Sequence, residues 1–149
     1  MKTKYVVDTN VLVHWLLKPD GLAARIINSF MLDLFTPEYA IEELTRNENQ
    51  WSKKRPIKLD LFVDAISTFM EVVPPTEDFV TKMAASALMA NKDPKDAPFL
   101  MVALMKGADI WSYDQHFDDL PVARVKSEDI RDGSRFELPE LWAWLNRSD

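Results

Sequence analysis

The chain contains no cysteine, and its 149 residues include only three glycines and two histidines. Without cysteine the protein can form no disulfide, thiolate zinc site or iron–sulfur cluster, and it cannot use a cysteine nucleophile. Three glycines do not supply a G-x-x-x-x-G-K-[ST] phosphate loop or a G-x-G-x-x-G dinucleotide turn in this sequence. Two histidines are too few for a three-histidine metal site. The lack of cysteine is compatible with the reducing cytoplasm, where we expect the protein to be located.

Long apolar runs are also missing from the sequence. No stretch approaches the ~18 apolar residues that a membrane-spanning helix needs. Asp8 ends the short apolar run near the N-terminus before it reaches the ~7 residues of a signal-peptide core. We therefore expect neither a membrane span nor a secretory signal.

Basic residues are outnumbered by acidic ones, 18 to 24, which gives a net charge of −6. This balance argues against a nucleic-acid-binding protein that is held by overall charge. It is compatible with an acidic pocket that recruits divalent cations and makes only local contacts to phosphate. The apolar share of 47% and the charged share of 28% are typical of a folded globular protein, and the length predicts one domain over residues 1–149.

The apolar pattern predicts alternating strands and helices, which is typical of α/β proteins. We predict strands at 5–7, 32–35, 70–73, 109–112 and 122–125. Predicted helices lie at 11–17, 22–30, 37–47, 57–69, 77–89, 95–106 and 139–145. Right-handed crossovers between such elements give a three-layer α/β/α fold with a mostly parallel sheet of four or five strands.

Individual residues predict where several helices begin and end. Thr36 and Pro37 are expected to be the N-cap and the first residue of one helix, and Thr76 the N-cap of another. Gly107 is expected directly after the last turn of a helix, where a left-handed backbone is favoured. His14 is predicted to pack inside the first helix.

Carboxylates follow two of the predicted strands. Asp8 comes directly after the first strand, and Asp114 lies two residues beyond the strand that ends at Ser112. The carboxyl ends of parallel strands share one edge of a sheet, and ligands bind at that edge in open α/β sheets. Asp96 lies near the start of a predicted helix, and Glu43 lies on a partly apolar helix face that could turn it toward the same edge.

Each of these acids also has a structural interpretation. For Asp8 taken alone, a structural role as a turn former or an N-cap is as compatible with the sequence as a functional one. Asp93 and Asp96, each taken alone, fit helix capping better than catalysis. Taken singly, Glu43 is typical of a solvated helix residue and Asp114 of a loop residue. The functional prediction therefore depends on the set and not on any one member.

Four segments of the chain resemble the PIN domain family, a fold of metal-dependent ribonucleases. They are the run YVVDTNVL that begins at Tyr5 and the segments 37–44, 93–109 and 112–114. Each segment is weakly specific alone, but their order and spacing agree with the family over residues 4–120.

The resemblance implies an acidic site together with supporting polar residues. The implied acids are Asp8, Glu43, Asp96 and Asp114. Asn10 and Ser112 would support the ligands or contact a phosphate, and Asp93 is a candidate fifth carboxylate. Some family members carry a further acid two residues after the last Asp; this chain has His116 there, and we expect Asp118 or Asp119 as the nearest substitutes.

Converging carboxylates repel one another unless a cation neutralises them. Hard oxygen ligands select Mg²⁺ or Mn²⁺, and such ions can activate water and orient a scissile phosphate. We expect Asp8, Asp96 and Asp114 to be the primary ligands, with Glu43 at a second ion or acting through water. No side-chain nucleophile is then required.

Local positive charge is needed to hold RNA. Lys53, Lys54 and Arg55 form the densest basic run, predicted to lie between two helices, and Lys95 neighbours Asp96. We predict that these four residues contact the RNA backbone. The alternative for the run of three is a solvated loop without function.

The resulting hypothesis is a Mg²⁺- or Mn²⁺-dependent endoribonuclease, and resemblance to the toxin branch of PIN proteins implies an antitoxin partner. The alternative is a non-catalytic PIN-fold module that binds RNA or protein, which would normally have lost acids. A haloacid-dehalogenase phosphatase is disfavoured because Asn10 stands where its D-x-D pattern needs a second Asp. Trp142 and Trp144 cannot share one helix face, so one of them is a candidate contact of a homodimer or of another partner.

Overall fold

The computed structural model describes residues 2–131 of the chain, without the side chain of Arg131. Its five strands are Lys4–Val7 (β1), Asp33–Pro37 (β2), Glu71–Val73 (β3), Asp109–Trp111 (β4) and Arg124–Val125 (β5). The first four helices are Thr9–Leu17 (α1), Leu22–Ile27 (α2), Glu38–Arg46 (α3) and Glu48–Lys54 (α4). The remaining four are Leu59–Phe69 (α5), Phe79–Met89 (α6), Ala97–Lys106 (α7) and Ser127–Arg131 (α8). The predicted helix at 139–145, Trp142 and Trp144 lie outside the described residues.

All five strands are parallel, in the order β3-β2-β1-β4-β5. This confirms the predicted α/β fold with its parallel sheet. The chain adds β2 and β3 on one side of β1 and then crosses to β4 on the other side. Right-handed crossovers therefore place α1 to α5 on one face of the sheet and α6 and α7 on the opposite face.

The core consists of apolar residues from the central strands and from the helices that cover them. Val6, Val7, Ile110 and Trp111 are completely buried in β1 and β4. A buried run of this kind is what a strand covered on both faces requires. Among the described helices, none has the length and apolar character needed to cross a membrane.

The structure corrects the predicted start of the helix after β2. Thr36 and Pro37 are the last residues of β2, and the helix begins at Glu38. The hydroxyl of Thr36 donates to the carbonyl of Val7 at 2.8 Å, so it ties two strands together and caps no helix. Pro37 pairs with Val73 of β3.

Two further helix boundaries differ from the prediction. Asp78 and not Thr76 caps α6, because its carboxylate accepts from the amides of Val80 and Thr81. The predicted helix 95–106 is split into a 3-10 turn, Pro94–Asp96, and α7. Gly107 ends α7 with φ of 63°, as predicted from its position.

The basic run was predicted to lie between two helices, and the structure instead places it at the end of one. Lys53 and Lys54 form the last turn of α4, and Arg55 is its C-cap. Trp51 anchors this helix, because its buried indole donates to the Leu44 carbonyl at 3.0 Å.

Candidate active site

A cleft of about 610 Å³ opens where β1 and β4 end. The chain reverses its direction of sheet growth between these two neighbouring strands, which is the usual ligand position in open α/β sheets. Five carboxylates line the cleft: Asp8, Glu43, Asp93, Asp96 and Asp114. The structure thus brings together the four implied acids and the candidate fifth, Asp93, from four separate segments.

Asp8 forms the buried wall of the cleft on the β1 side. It caps α1, and its Oδ1 accepts from the Thr9 amide at 2.7 Å. Its Oδ2 accepts from the Ser112 hydroxyl at 2.6 Å. Only 6% of Asp8 is exposed, and burial raises its pKa to about 6, opposed by the bonds from Ser112 and Thr9. The charges of Glu43 and Asp114 raise the pKa further.

Asp96 faces the same space from the N-terminus of α7. It is 7% exposed, and burial together with the negative charges around it raises its pKa to about 7. The neighbouring charges are those of Asp8, Asp93, Glu43 and Asp114. Among residues 2–131, no lysine or arginine forms an ion pair with Asp8 or Asp96. The inner wall therefore carries negative charge that a bound cation would neutralise.

Two hydroxyls link the other acids to this wall. The Thr9 hydroxyl donates to Glu43 Oε1 at 2.6 Å, which turns this half-buried side chain of α3 into the cleft. The Ser112 oxygen accepts from the amide of Asp114 at 2.9 Å while its hydroxyl donates to Asp8. Ser112 was predicted to support the site, whereas Thr9 was missed, although its position directly after Asp8 was the available signal.

Asn10 carries an unusual acceptor. Its Oδ1 is buried and has no hydrogen-bond partner within the described part of the chain. Buried polar atoms nearly always have a hydrogen-bond partner, so an unpaired oxygen beside a cleft is expected to bind a hydrogen-bond donor or a cation from the cleft. The oxygens that could bind a metal ion here come from carboxylate, amide and hydroxyl groups, and such ligands suit Mg²⁺ or Mn²⁺.

His116 also lines the cleft, although it was not among the predicted site residues. It lies on a 3-10 turn, Gln115–Phe117, that is capped by Asp114. The expected substitutes do not take this position. Asp118 pairs with Arg124 at 2.7 Å, a hydrogen bond that lowers the pKa of Asp118, and neither Asp118 nor Asp119 lines the cleft.

Of the four predicted RNA-contacting residues, two line the cleft and two do not. Lys54 and Lys95 are exposed and line the cleft. Lys53 is exposed but does not line it. Arg55 donates its guanidinium to the carbonyl of Leu16 and so joins α4 to α1.

His14 departs from its prediction. It is exposed, it lines the cleft, and its ring stacks in a tilted arrangement on Tyr113 with centroids 5.0 Å apart. Tyr113 in turn shares a hydrogen bond with Ser127.

Comparison with known proteins identifies a family and solved structures of similar fold. The family model described as PIN domain matches residues 6–132. The fold is similar to a chain in the crystal structure of VapBC2 from Rickettsia felis bound to a DNA fragment from their promoter, with a TM-score of 0.64. The two sequences are 13% identical, and the match covers 83% of this chain and 98% of that chain. None of the curated proteins compared with the sequence matches it.

Proposed function

The chain belongs to the PIN domain family, and from this premise we propose that it is a Mg²⁺- or Mn²⁺-dependent endoribonuclease. One observation carries the proposal: five carboxylates converge on an open cleft, and the two buried ones have no lysine or arginine partner within residues 2–131. Such an arrangement is costly without a cation, because each buried charge raises the free energy of the others.

In this proposal Asp8, Asp96 and Asp114 hold the ion, and Glu43 holds a second ion or a water molecule. A divalent ion bound there supplies an activated water and neutralises charge that develops on the phosphate. The unpaired Oδ1 of Asn10 binds the ion or a hydrogen-bond donor from the cleft side.

The other residues of the cleft orient these ligands and hold the substrate. The Thr9 hydroxyl fixes Oε1 of Glu43 and leaves its Oε2 for the cleft. The Ser112 hydroxyl and the Thr9 amide fix the two oxygens of Asp8, and each of these oxygens keeps a second lone pair for a cation. Lys54 and Lys95 contact the RNA backbone from the opening of the cleft, where local cations compensate for the net negative charge of the protein. A nucleophile from the protein is not needed.

Cleavage of a mixed RNA pool tests the proposal. The wild-type protein should cleave with Mn²⁺ or Mg²⁺ and not in EDTA. Asp8→Asn and Asp96→Asn should each lower the rate by at least about 100-fold, since each removes a charged ligand. Asp64→Asn is the matched control, because Asp64 is exposed on α5 and does not line the cleft.

Two results would contradict the proposal. Cleavage that persists in EDTA, or in both cleft variants, would exclude metal-dependent hydrolysis at these acids. Binding of RNA without any cleavage under all metal conditions would favour the alternative of a non-catalytic PIN-fold module.

We further propose that the protein is the toxin of a cytoplasmic toxin–antitoxin pair. The similarity of its fold to a chain of VapBC2, a structure that includes promoter DNA, supports a protein partner. Expression of the wild-type chain in a bacterial host should arrest growth, and Asp8→Asn should not. Growth arrest by Asp8→Asn would exclude nuclease toxicity. Size-exclusion chromatography with light scattering tests the expected homodimer.

A further inference from the structure

One imidazole nitrogen lies among three of the cleft carboxylates. His116 Nδ1 is 3.1 Å from Asp114 Oδ1, 3.5 Å from Asp93 Oδ2 and 3.8 Å from Asp96 Oδ2. The three acids come from two segments that are separate in the sequence. The ring therefore lies between these three acids on the outer side of the cluster, and 47% of the His116 side chain is exposed.

The segment that carries His116 is anchored on both sides of the ring. The His116 amide donates to Asp114 Oδ1 at 2.9 Å. Phe117, the next residue, is completely buried and packs edge-on against Phe99 of α7, with centroids 6.0 Å apart. Because α7 begins directly after Asp96, these contacts fix the imidazole relative to that carboxylate.

The distances between these atoms match those within one coordination shell. With metal–ligand bonds of about 2.1 Å, adjacent ligand atoms of an octahedral ion lie about 3.0 Å apart and opposite ones about 4.2 Å apart. All three distances from His116 Nδ1 fall within this range. Asp93, Asp96 and His116 each offer one ligand atom, and these atoms lie within 4.8 Å of one another.

We propose that His116 Nδ1 is a direct ligand of the ion in this cleft and that it makes the site prefer Mn²⁺ to Mg²⁺. The inference rests on the proposed metal site and adds its selectivity. Imidazole nitrogen is a good ligand for transition ions, whereas Mg²⁺ binds oxygen almost exclusively. A histidine among carboxylates thus lowers the relative affinity for Mg²⁺ at a site that otherwise suits both ions.

Pulsed electron paramagnetic resonance of the Mn²⁺-loaded protein, without RNA, detects nitrogen bound to the ion. The wild-type protein should show ¹⁴N coupling, and His116→Gln should lack it. His14→Gln is the matched control, because His14 is the only other histidine in the sequence and also lines the cleft. This control should retain the coupling.

Calorimetric titration with each metal alone tests selectivity. His116→Gln should weaken Mn²⁺ binding by about 10-fold or more and leave Mg²⁺ binding nearly unchanged. His116→Asp, which restores an all-oxygen donor set, should shift the preference toward Mg²⁺.

The outcomes separate this inference from the proposed function. Stoichiometric Mn²⁺ binding without ¹⁴N coupling in the wild-type protein would show that His116 lies beside the acids without binding the ion, and the inference would fail while the metal site stood. Equal weakening of both ions by His116→Gln would overturn the selectivity. A wild-type protein that binds neither ion would overturn the proposed metal site as well.

Discussion

The inner wall and the rim of the cleft differ in both burial and charge. The inner wall, formed by Asp8, Asp96 and Ser112, is buried and negative. The rim, formed by Lys54, Lys95 and His116, is exposed and supplies basic side chains. Burial makes an uncompensated charge costly, so changes in the inner wall alter stability and metal binding together. Changes at the rim alter ligand contacts and leave the fold nearly unaffected.

The largest effect that separates the two regions is stabilisation by metal. Mn²⁺ that binds only the native protein should raise the free energy of unfolding by about 2.7 kcal/mol at 100 times its dissociation constant. For a chain of this size that is a rise of roughly 5–10 °C in the melting temperature. Asp8→Asn/Asp96→Asn should abolish the rise and Lys54→Ala should keep it, as measured by scanning calorimetry with MnCl₂. A wild-type melting curve that is indifferent to Mn²⁺ would count against a preformed site.

A second effect concerns the pH dependence of the metal-free protein. Burial first, and neighbouring acids next, raise the pKa of Asp96 from 3.8 to about 7, and Asp8 rises to about 6. Between the ordinary pKa of an aspartate and these raised values, the native state holds protons that the unfolded chain has released. The free energy of unfolding therefore falls as the pH rises from about 4 to about 7. It does not recover at higher pH.

Replacement of Asp96 tests this direction. Asp96→Asn should stabilise the metal-free protein by on the order of 2 kcal/mol at pH 7.5 and by much less at pH 4, where the native carboxyl is already protonated. Urea unfolding at the two pH values gives the comparison, with Asp64→Asn as the control. Equal stability changes at both values would mean that the charge of Asp96 is not the cause.

A smaller effect is expected from the hydroxyl that supports Asp8. Ser112→Ala removes the donor to Asp8 Oδ2, a hydrogen bond that lowers the pKa of this acid. The pKa should rise further, and Mn²⁺ binding at pH 7 should weaken by about 10-fold. Ser67→Ala on the exposed side of α5 is the control for calorimetric titration. Unchanged Mn²⁺ affinity in Ser112→Ala would exclude this supporting role.

The position of the inner wall could be predicted from the sequence because it follows from sheet geometry. Parallel pairing of Val7 with Trp111 places the residues after both strands at one edge, and the strand pattern was enough to predict it. The acids at that edge, Asp8 and Asp114, are therefore close in space although 106 positions separate their numbers (114 − 8).

The helix ends were less predictable because several local signals compete. Thr36 and Pro37 form a good helix start by local preference, yet pairing with β3 and the bond to Val7 keep them in the sheet. Similarly, Thr76 and Asp78 are both good N-caps. Asp78 is the N-cap in the structure, while the Thr76 hydroxyl accepts a hydrogen bond from the amide of Asp78.

The rim was the hardest part to predict, because tertiary contacts decide it. In α4 only Trp51 is buried, so the helix has no repeated apolar pattern in the sequence. Its position depends on the indole bond to Leu44 and on ring contact with Phe62. Which of the adjacent Lys53 and Lys54 reaches the cleft depends on that placement, and no sequence pattern distinguishes the two.

The smallest predicted effect uses this pair of lysines. Lys54→Ala should weaken binding of single-stranded RNA about equally across sequences and flatten its salt dependence by roughly 0.7 in log–log slope per lost contact. Lys53→Ala removes the same charge from the same helix turn but not from the cleft, so it controls for the overall field. Arg55→Ala is unsuitable, because the guanidinium bonds to Leu16 and its loss would disturb the packing of α4 on α1. Fluorescence anisotropy at several salt concentrations, with Asp8→Asn as the inactive parent, gives the slopes. Equal slopes for the parent and both variants would mean that α4 does not contact RNA, and the contacts would then have to be sought at Lys95.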